Sequence, residues 1–188
     1  MLLSVPLFVN CIVKLWPPGR RISFLYLHTR LVYHYRAMRV VEKAQLMSAP
    51  EIDRTLQRVA HEIVERSGGT KHLALIGIVR RGVPLAQRIA QAMRGIDGVD
   101  VPVGVLDITL YRDDLSKVAP QAVLRSSDIP FGVDNMDLVL IDRGHREMPI
   151  EAQYIGRTVQ TTDTEIIEVR LNEIDKEERV MLVDRVES

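Results

Sequence analysis

"HLALIGIVRRGVPLAQRIAQAM", residues 72–93, decides how this chain is read. Leu73 to Val79 is a continuous apolar run, the mark of a strand buried on both faces. From Val83 onward, Leu85, Ala86, Ile89, Ala90 and Met93 recur at helical spacing, with Gly95 as the expected stop. Arg80-Arg81-Gly82 stand between the two. Open α/β sheets bind ligands outside the carboxyl ends of their strands, where glycine lets the backbone approach closely. Backbone N–H groups at a helix start favour anions, and Arg80 and Arg81 add charge. Spacing alone also allows a plain turn with two solvated arginines.

Outward from this unit the pattern continues. Upstream, Ser48-Ala49-Pro50-Glu51 reads as a helix start with a capping box and an early proline. Ile52, Leu56, Val59, Ala60, Ile63 and Val64 follow at helical spacing, and Gly68-Gly69 ends the helix. Downstream, "VPVGVLDITLY" (101–111) is the next strand, and strand–helix–strand predicts a parallel unit with a right-handed crossover. "DLVLID" (137–142) is another buried strand, and "TEIIEVRL" and "ERVMLV" are short strand-like runs in the tail.

The 188 residues suit one domain with a real core. Their formal charge is zero but unevenly placed: residues 1–37 hold Lys14, Arg20, Arg21, Arg30 and Arg36 and no acid. All 25 acids therefore lie in residues 38–188 against 20 Lys and Arg, a net charge of −5. Six of the nine aromatic residues and Cys11, the single cysteine, also fall in residues 1–37. One cysteine makes no disulfide within a chain, so nothing points to an oxidising compartment. Leu2 to Trp16 lacks a preceding basic residue and a cleavage site, is interrupted by Lys14, and is short for a membrane span. The expectation is that residues 1–37 are an atypical extension outside the fold, with the natural start at Met38 and a cytoplasmic product that uses no membrane.

Three further stretches carry candidate chemistry. In "DITLYRDDLSK" (107–117), Arg112 and Lys117 flank Asp113 and Asp114 beyond a strand end, as a loop over a charged ligand or carboxylates for Mg²⁺ would require. Arg54, Arg58 and His61 share a face of the first helix, with Arg66 near its end, a row that fits nucleic-acid phosphates. "DRGHRE" packs Arg143, His145, Arg146 and Glu147 into five residues, where a histidine beside carboxylates can do acid–base work. Each of these is equally readable as a solvated charged surface. No zinc-type cluster, P-loop or dinucleotide fingerprint is present.

Taken in order, "RVAHEIVER", "LIGIVRRGVPLAQRIA", "VPVGVLDITLYRDDLSK", "DIPFGVDN", "LIDRGHREMPIEAQYIGR" and "VRLNEIDKEERVMLV" resemble the PyrR family, over nearly all of residues 38–188. The resemblance implies a type I phosphoribosyltransferase fold, an α/β parallel sheet flanked by helices with a small hood. It implies a regulator of pyrimidine biosynthesis that binds the pyr mRNA leader to attenuate transcription. The implied enzyme activity joins uracil and phosphoribosyl pyrophosphate (PRPP), with Mg²⁺, to give UMP and pyrophosphate, and the family is homo-oligomeric. By position, Arg80, Arg81 and Gly82 match the pyrophosphate loop, and Asp107, Tyr111, Arg112, Asp113, Asp114 and Lys117 match the flexible loop. Arg143, His145 and Arg146 match the base-pocket segment, and Arg58, His61, Arg66, Arg146 and Arg157 match the RNA-contacting positions. Gln57 and Glu151 depart from the RNA-binding pattern, which has Thr and a basic residue there.

The resemblance also has a gap. The family carries a strand ending in two acids, then a Thr/Gly-rich loop and a helix, which hold the ribose and 5′-phosphate of PRPP. That block lies between the "DIP" and "DRGHRE" segments. Here only residues 131–136 separate Pro130 from "DLVLID", and "RGHRE" follows at once. "DLVLID" reads as a fusion of two strands. One central strand, the PRPP loop and a helix, roughly 30 or more residues, are expected to be missing near 135–141. "IGRTV" (155–159) imitates a phosphate loop, but no acid pair precedes it. The expectation is a family member whose catalysis is lost. The alternatives are a non-catalytic RNA- or nucleotide-binding remnant and a non-functional product.

Overall fold

The computed structural model describes residues 3–13, 38–108, 127–134, 136–144 and 152–187. The first helix, α1 (Ala49–Ser67), forms where the periodicity places it. Ser48 donates both its backbone N–H (2.8 Å) and its hydroxyl (2.6 Å) to the Glu51 carboxylate. Its buried residues are the six that the spacing selects, Ile52, Leu56, Val59, Ala60, Ile63 and Val64. Gly68, at φ 67°, ends the helix in the left-handed conformation that glycine adopts without a Cβ clash.

The strand β3 (Leu73–Ile78) is buried throughout and leads into α2 (Gly82–Asp97). It pairs in parallel with β4 (Val103–Leu106) on one side and β5 (Asp137–Gly144) on the other. This three-strand parallel core is the predicted α/β unit. Leu73 and Leu75 of β3 and Val139 and Ile141 of β5 point into the main core, together with α1 and α2. Ala74, Ile76 and Leu138 point the other way, onto Leu106, Phe131, Val133, Met136 and Leu140. Both long helices thus cover one face of the sheet. The second face meets, among the described residues, only the chain around 131–136. A backbone bridge between Val105 and Asp128 (2.7 and 2.9 Å) holds residues 127–131 along β4.

A second sheet, antiparallel in the order β2-β8-β7, is built from β2 (Met38–Ser48), β7 (Glu165–Arg170) and β8 (Arg179–Glu187). The one-turn helix α3 (Asn172–Asp175) connects β7 to β8. Ion pairs lace this sheet: Lys43 reaches Glu165 at 2.6 Å, and Arg170 meets Glu42, Glu168 and Glu177.

Three expectations are corrected. The chain at 3–13 does not stand outside the fold: β1 (Leu3–Val13) lies antiparallel between β5 and β6 (Tyr154–Thr161), giving the order β4-β3-β5-β1-β6. An eleven-residue run rich in Leu, Val and Ile is a competent strand, and β5 offers it a ladder edge opposite β3. Residues 14–37 lie outside the described residues. Gly95 does not stop α2, which runs on to a left-handed Gly98 at φ 70° because a lone glycine costs a helix only about 1 kcal/mol. Among the described residues of the strand expected over 101–111, only Val103–Leu106 is regular strand, and residues 109–126 lie outside the described residues.

Candidate functional site

The parallel register brings the carboxyl ends of three strands level. Gly77 stands opposite Val105 on β4 and Ile141 on β5. Two residues further on, the chain reaches Val79, Asp107 and Arg143, so the β3 turn, the start of the 107–117 loop and the backbone at 142–144 share one edge of the sheet. This is the edge at which such sheets bind ligands.

The β3 turn is close-built. A Cβ on Gly77 would lie 2.6 Å from Val83 Cα and 2.8 Å from the Gly82 carbonyl oxygen, so only glycine lets the start of α2 seat against β3. The Val79–Arg80 peptide bond is cis. Arg80 is exposed, and Gly82 is buried at the first position of α2. With Val79, Val83, Gln87, Glu173 and Ile174, Arg80 borders a cavity of about 460 Å³.

Arg81 differs from the sequence picture of two free cations. Its Nε and Nη2 donate to the Asp175 carboxylate at 3.2 and 2.7 Å. Seven residues on, Arg88 donates to Glu173 (2.8 Å) and Glu178 (2.6 Å), and these two carboxylates raise its already high pKa. Burial pushes the Asp175 carboxyl up. The Leu171 N–H, the Arg81 guanidinium and the charge of Arg80 outweigh that and hold it below the usual range. Asp175, Glu173 and Arg88 were not singled out from the sequence. "NEIDKEE" reads there as a polar turn, and nothing in it names a partner on α2.

The other predicted residues divide. Asp107 donates its N–H to Ser127 Oγ at 3.0 Å. Tyr111, Arg112, Asp113, Asp114 and Lys117 lie outside the described residues, as do His145 and Arg146. Arg143 is placed by its backbone near the end of β5.

The basic row is largely engaged within the chain. Arg58 donates to the Ile155 and Gly156 carbonyls at 2.8 and 2.7 Å and pairs with Glu62 at 3.4 Å. Arg66 donates to the Gln153 carbonyl, pairs with Glu62 at 3.1 Å and lies 5.3 Å over the Tyr154 ring. Arg157 donates to the Leu46 carbonyl. His61 is exposed. Arg58 and Arg66 clamp α1 to the start of β6, and Arg157 ties β6 to the end of β2. "IGRTV" lies within β6 as extended strand, which is not the geometry of a phosphate loop.

Among the described residues no three His, Cys, Asp or Glu gather as a metal would need. At the loop Asp175 is held by Arg81 and Glu173 by Arg88, so among the described residues of this edge these two carboxylates are engaged by arginines; Asp113 and Asp114, the sequence candidates for Mg²⁺, lie outside the described residues. No described helix is long and apolar enough to cross a membrane.

A strand–arginine turn–helix at the carboxyl edge of a parallel sheet, under a small antiparallel sheet, is the layout of a phosphoribosyltransferase. The phosphoribosyl transferase domain model matches residues 43–184. The chain is 47% identical over 178 residues to a protein of Pelotomaculum thermopropionicum named Bifunctional protein PyrR, covering 78% of this chain and 98% of that one. It is 45% identical over 175 residues to the protein of that name from Thermus thermophilus, covering 76% and 97%. The chain belongs to the PyrR family of phosphoribosyltransferase-domain proteins. The aligned lengths carry a second finding. The 78% of this chain that aligns is about 147 of its 188 residues, yet the match runs over 178 positions, so about 31 positions of the relative have no residue opposite.

Proposed function

We propose that this chain is a PyrR-family regulator of pyrimidine nucleotide biosynthesis that keeps a diphosphate-binding loop at Arg80-Arg81-Gly82 but does not complete the transfer of a phosphoribosyl group to uracil. The observation that carries this is the shortfall of about 31 positions, taken with β5, which runs unbroken from Asp137 to Gly144. The reading places the missing positions near 135–141, between the "DIPFG" and "DRGHRE" segments. The family's ribose-binding acids and 5′-phosphate loop belong there. The second sheet face supports it, since no described helix covers that face.

The residues present define what the site can do. Exposed Arg80 and the start of α2 attract a diphosphate by charge and by backbone N–H groups. Such a ligand would carry Mg²⁺ on its own oxygens. The base would be met by the segment from Arg143. The ribose has no acid pair to orient it, and positioning of this kind supplies much of the rate in group transfer. In attenuation by RNA, Arg58, Arg66 and Arg157 would meet phosphate with the donors left over from the backbone carbonyls they already hold, and Glu151 would repel it.

The test is UMP formation from uracil and PRPP by the purified chain beside a full-length relative. The expected rate is lower by about 10³-fold or more. UMP formation within tenfold of the relative refutes the loss of catalysis.

A further inference from the structure

Arg81 and Asp175 face each other from two different layers. Arg81 caps α2 at the end of the central parallel strand, and Asp175 closes the α3 turn between β7 and β8. The pair is bidentate, and both side chains are about four-fifths withdrawn from solvent, at 21% and 19% exposure. Connecting β7 to β8 does not require this contact. The α3 turn buries no residue of its own, and Arg88 already ties it to α2 through Glu173 and Glu178. Asp175 thus sets a carboxylate on the guanidinium of the anion loop, and its Oδ2 also accepts the Leu171 N–H at 3.0 Å.

We propose that Asp175 is a latch on the anion loop: its carboxylate holds Arg81 in the free protein, and a diphosphate group takes Arg81 by displacing it. This rests on reading Arg80-Arg81-Gly82 as the diphosphate site. Arg81 has one fork, and a carboxylate and a diphosphate oxygen pair compete for it. The diphosphate carries more charge and also meets Arg80, so it wins the fork at the cost of the Asp175 contact. Arg88 keeps its two carboxylates and serves as the anchor about which the α3 turn loosens. The coupling is reciprocal: whatever tightens the β7–β8 turn weakens anion binding, and the anion loosens the turn.

Calorimetry with inorganic pyrophosphate on the full chain, Asp175→Asn and the Arg80→Ala/Arg81→Ala double variant tests this. Asparagine keeps an oxygen for the Leu171 N–H and removes the charge. Asp175→Asn is expected to bind pyrophosphate about five- to tenfold more tightly than wild type, with a thermal melt reporting that it is folded. Equal or weaker binding overturns the latch. Hydrogen exchange on the wild type needs no variant. Pyrophosphate should speed exchange of the Leu171, Ile174 and Asp175 amides, and unchanged or slower exchange overturns the proposal. If neither wild type nor Asp175→Asn binds pyrophosphate, the loop is not an anion site and the latch falls with it. Binding that is lost in the double arginine variant but unchanged in Asp175→Asn keeps the site and removes only the latch.

Discussion

Gly77→Ala probes the geometry on which the site depends. The added methyl would meet Val83 Cα at 2.6 Å, the Gly82 carbonyl at 2.8 Å and Val83 N at 2.9 Å. An ordinary contact begins at 3.4 Å, so the start of α2 must move by about 0.8 Å, the difference between 3.4 and 2.6 Å. All three opposing atoms are backbone, so no flexible side chain can give way. Overpacking of this kind costs about 1–3 kcal/mol. Alanine recovers about 0.5–1 kcal/mol of that by restricting the unfolded chain, which leaves a net loss of up to about 2.5 kcal/mol. For a chain of this size the melting temperature should fall by up to about 10 °C. Gly95→Ala is the internal control. It lies within α2 with nothing inside 4 Å of its added methyl, so it should stabilise the chain by about 0.5–1 kcal/mol. Urea melts of both variants, with pyrophosphate titration of Gly77→Ala, read the two effects. Gly77→Ala with wild-type stability and wild-type pyrophosphate affinity would refute the claim that this glycine seats the anion loop.

Further outcomes follow from the second sheet, the helix start and β1. Lys43 and the Thr162 N–H hold Glu165 down at about 2. Its stabilising contribution is therefore full above the ordinary value of 4.5 and lost as pH falls from there toward 2. Glu165→Gln should melt below wild type at pH 7 and level with it near pH 2, and a gap that persists at pH 2 contradicts this. Glu51→Ala removes the acceptor of both Ser48 donors and should cost about 1 kcal/mol by urea melt. Deleting residues 1–13 should leave β5 without its antiparallel partner and promote self-association. A monomeric product of unchanged stability by light scattering and thermal melt would show that β1 contributes nothing to the sheet.

Local pattern alone determined a good part of this protein. The six buried residues of α1, the Ser48 start, the Gly68 stop and the β3-to-α2 passage were legible because helix periodicity, capping and turn chemistry act within a few residues. The order of the motifs carried the family, and the short interval between Pro130 and "DLVLID" is the sequence basis for proposing a missing block there. Tertiary structure decided which charges are free. Arg80 and Arg81 are adjacent in sequence, yet Arg80 is exposed and Arg81 is held by an aspartate 94 positions away. Arg58 and Arg66 look like part of a phosphate-binding row until the chain at 153–156 packs against α1 and offers its carbonyls, while Arg157 of β6 donates to Leu46 of β2. The place of β1 was hidden for the same reason. A strand-competent segment does not name its partner, and the open edge of β5 exists only once the parallel sheet has assembled. Composition and spacing report what a segment can form. Which distant group meets a charge or a strand edge is set by how the layers pack.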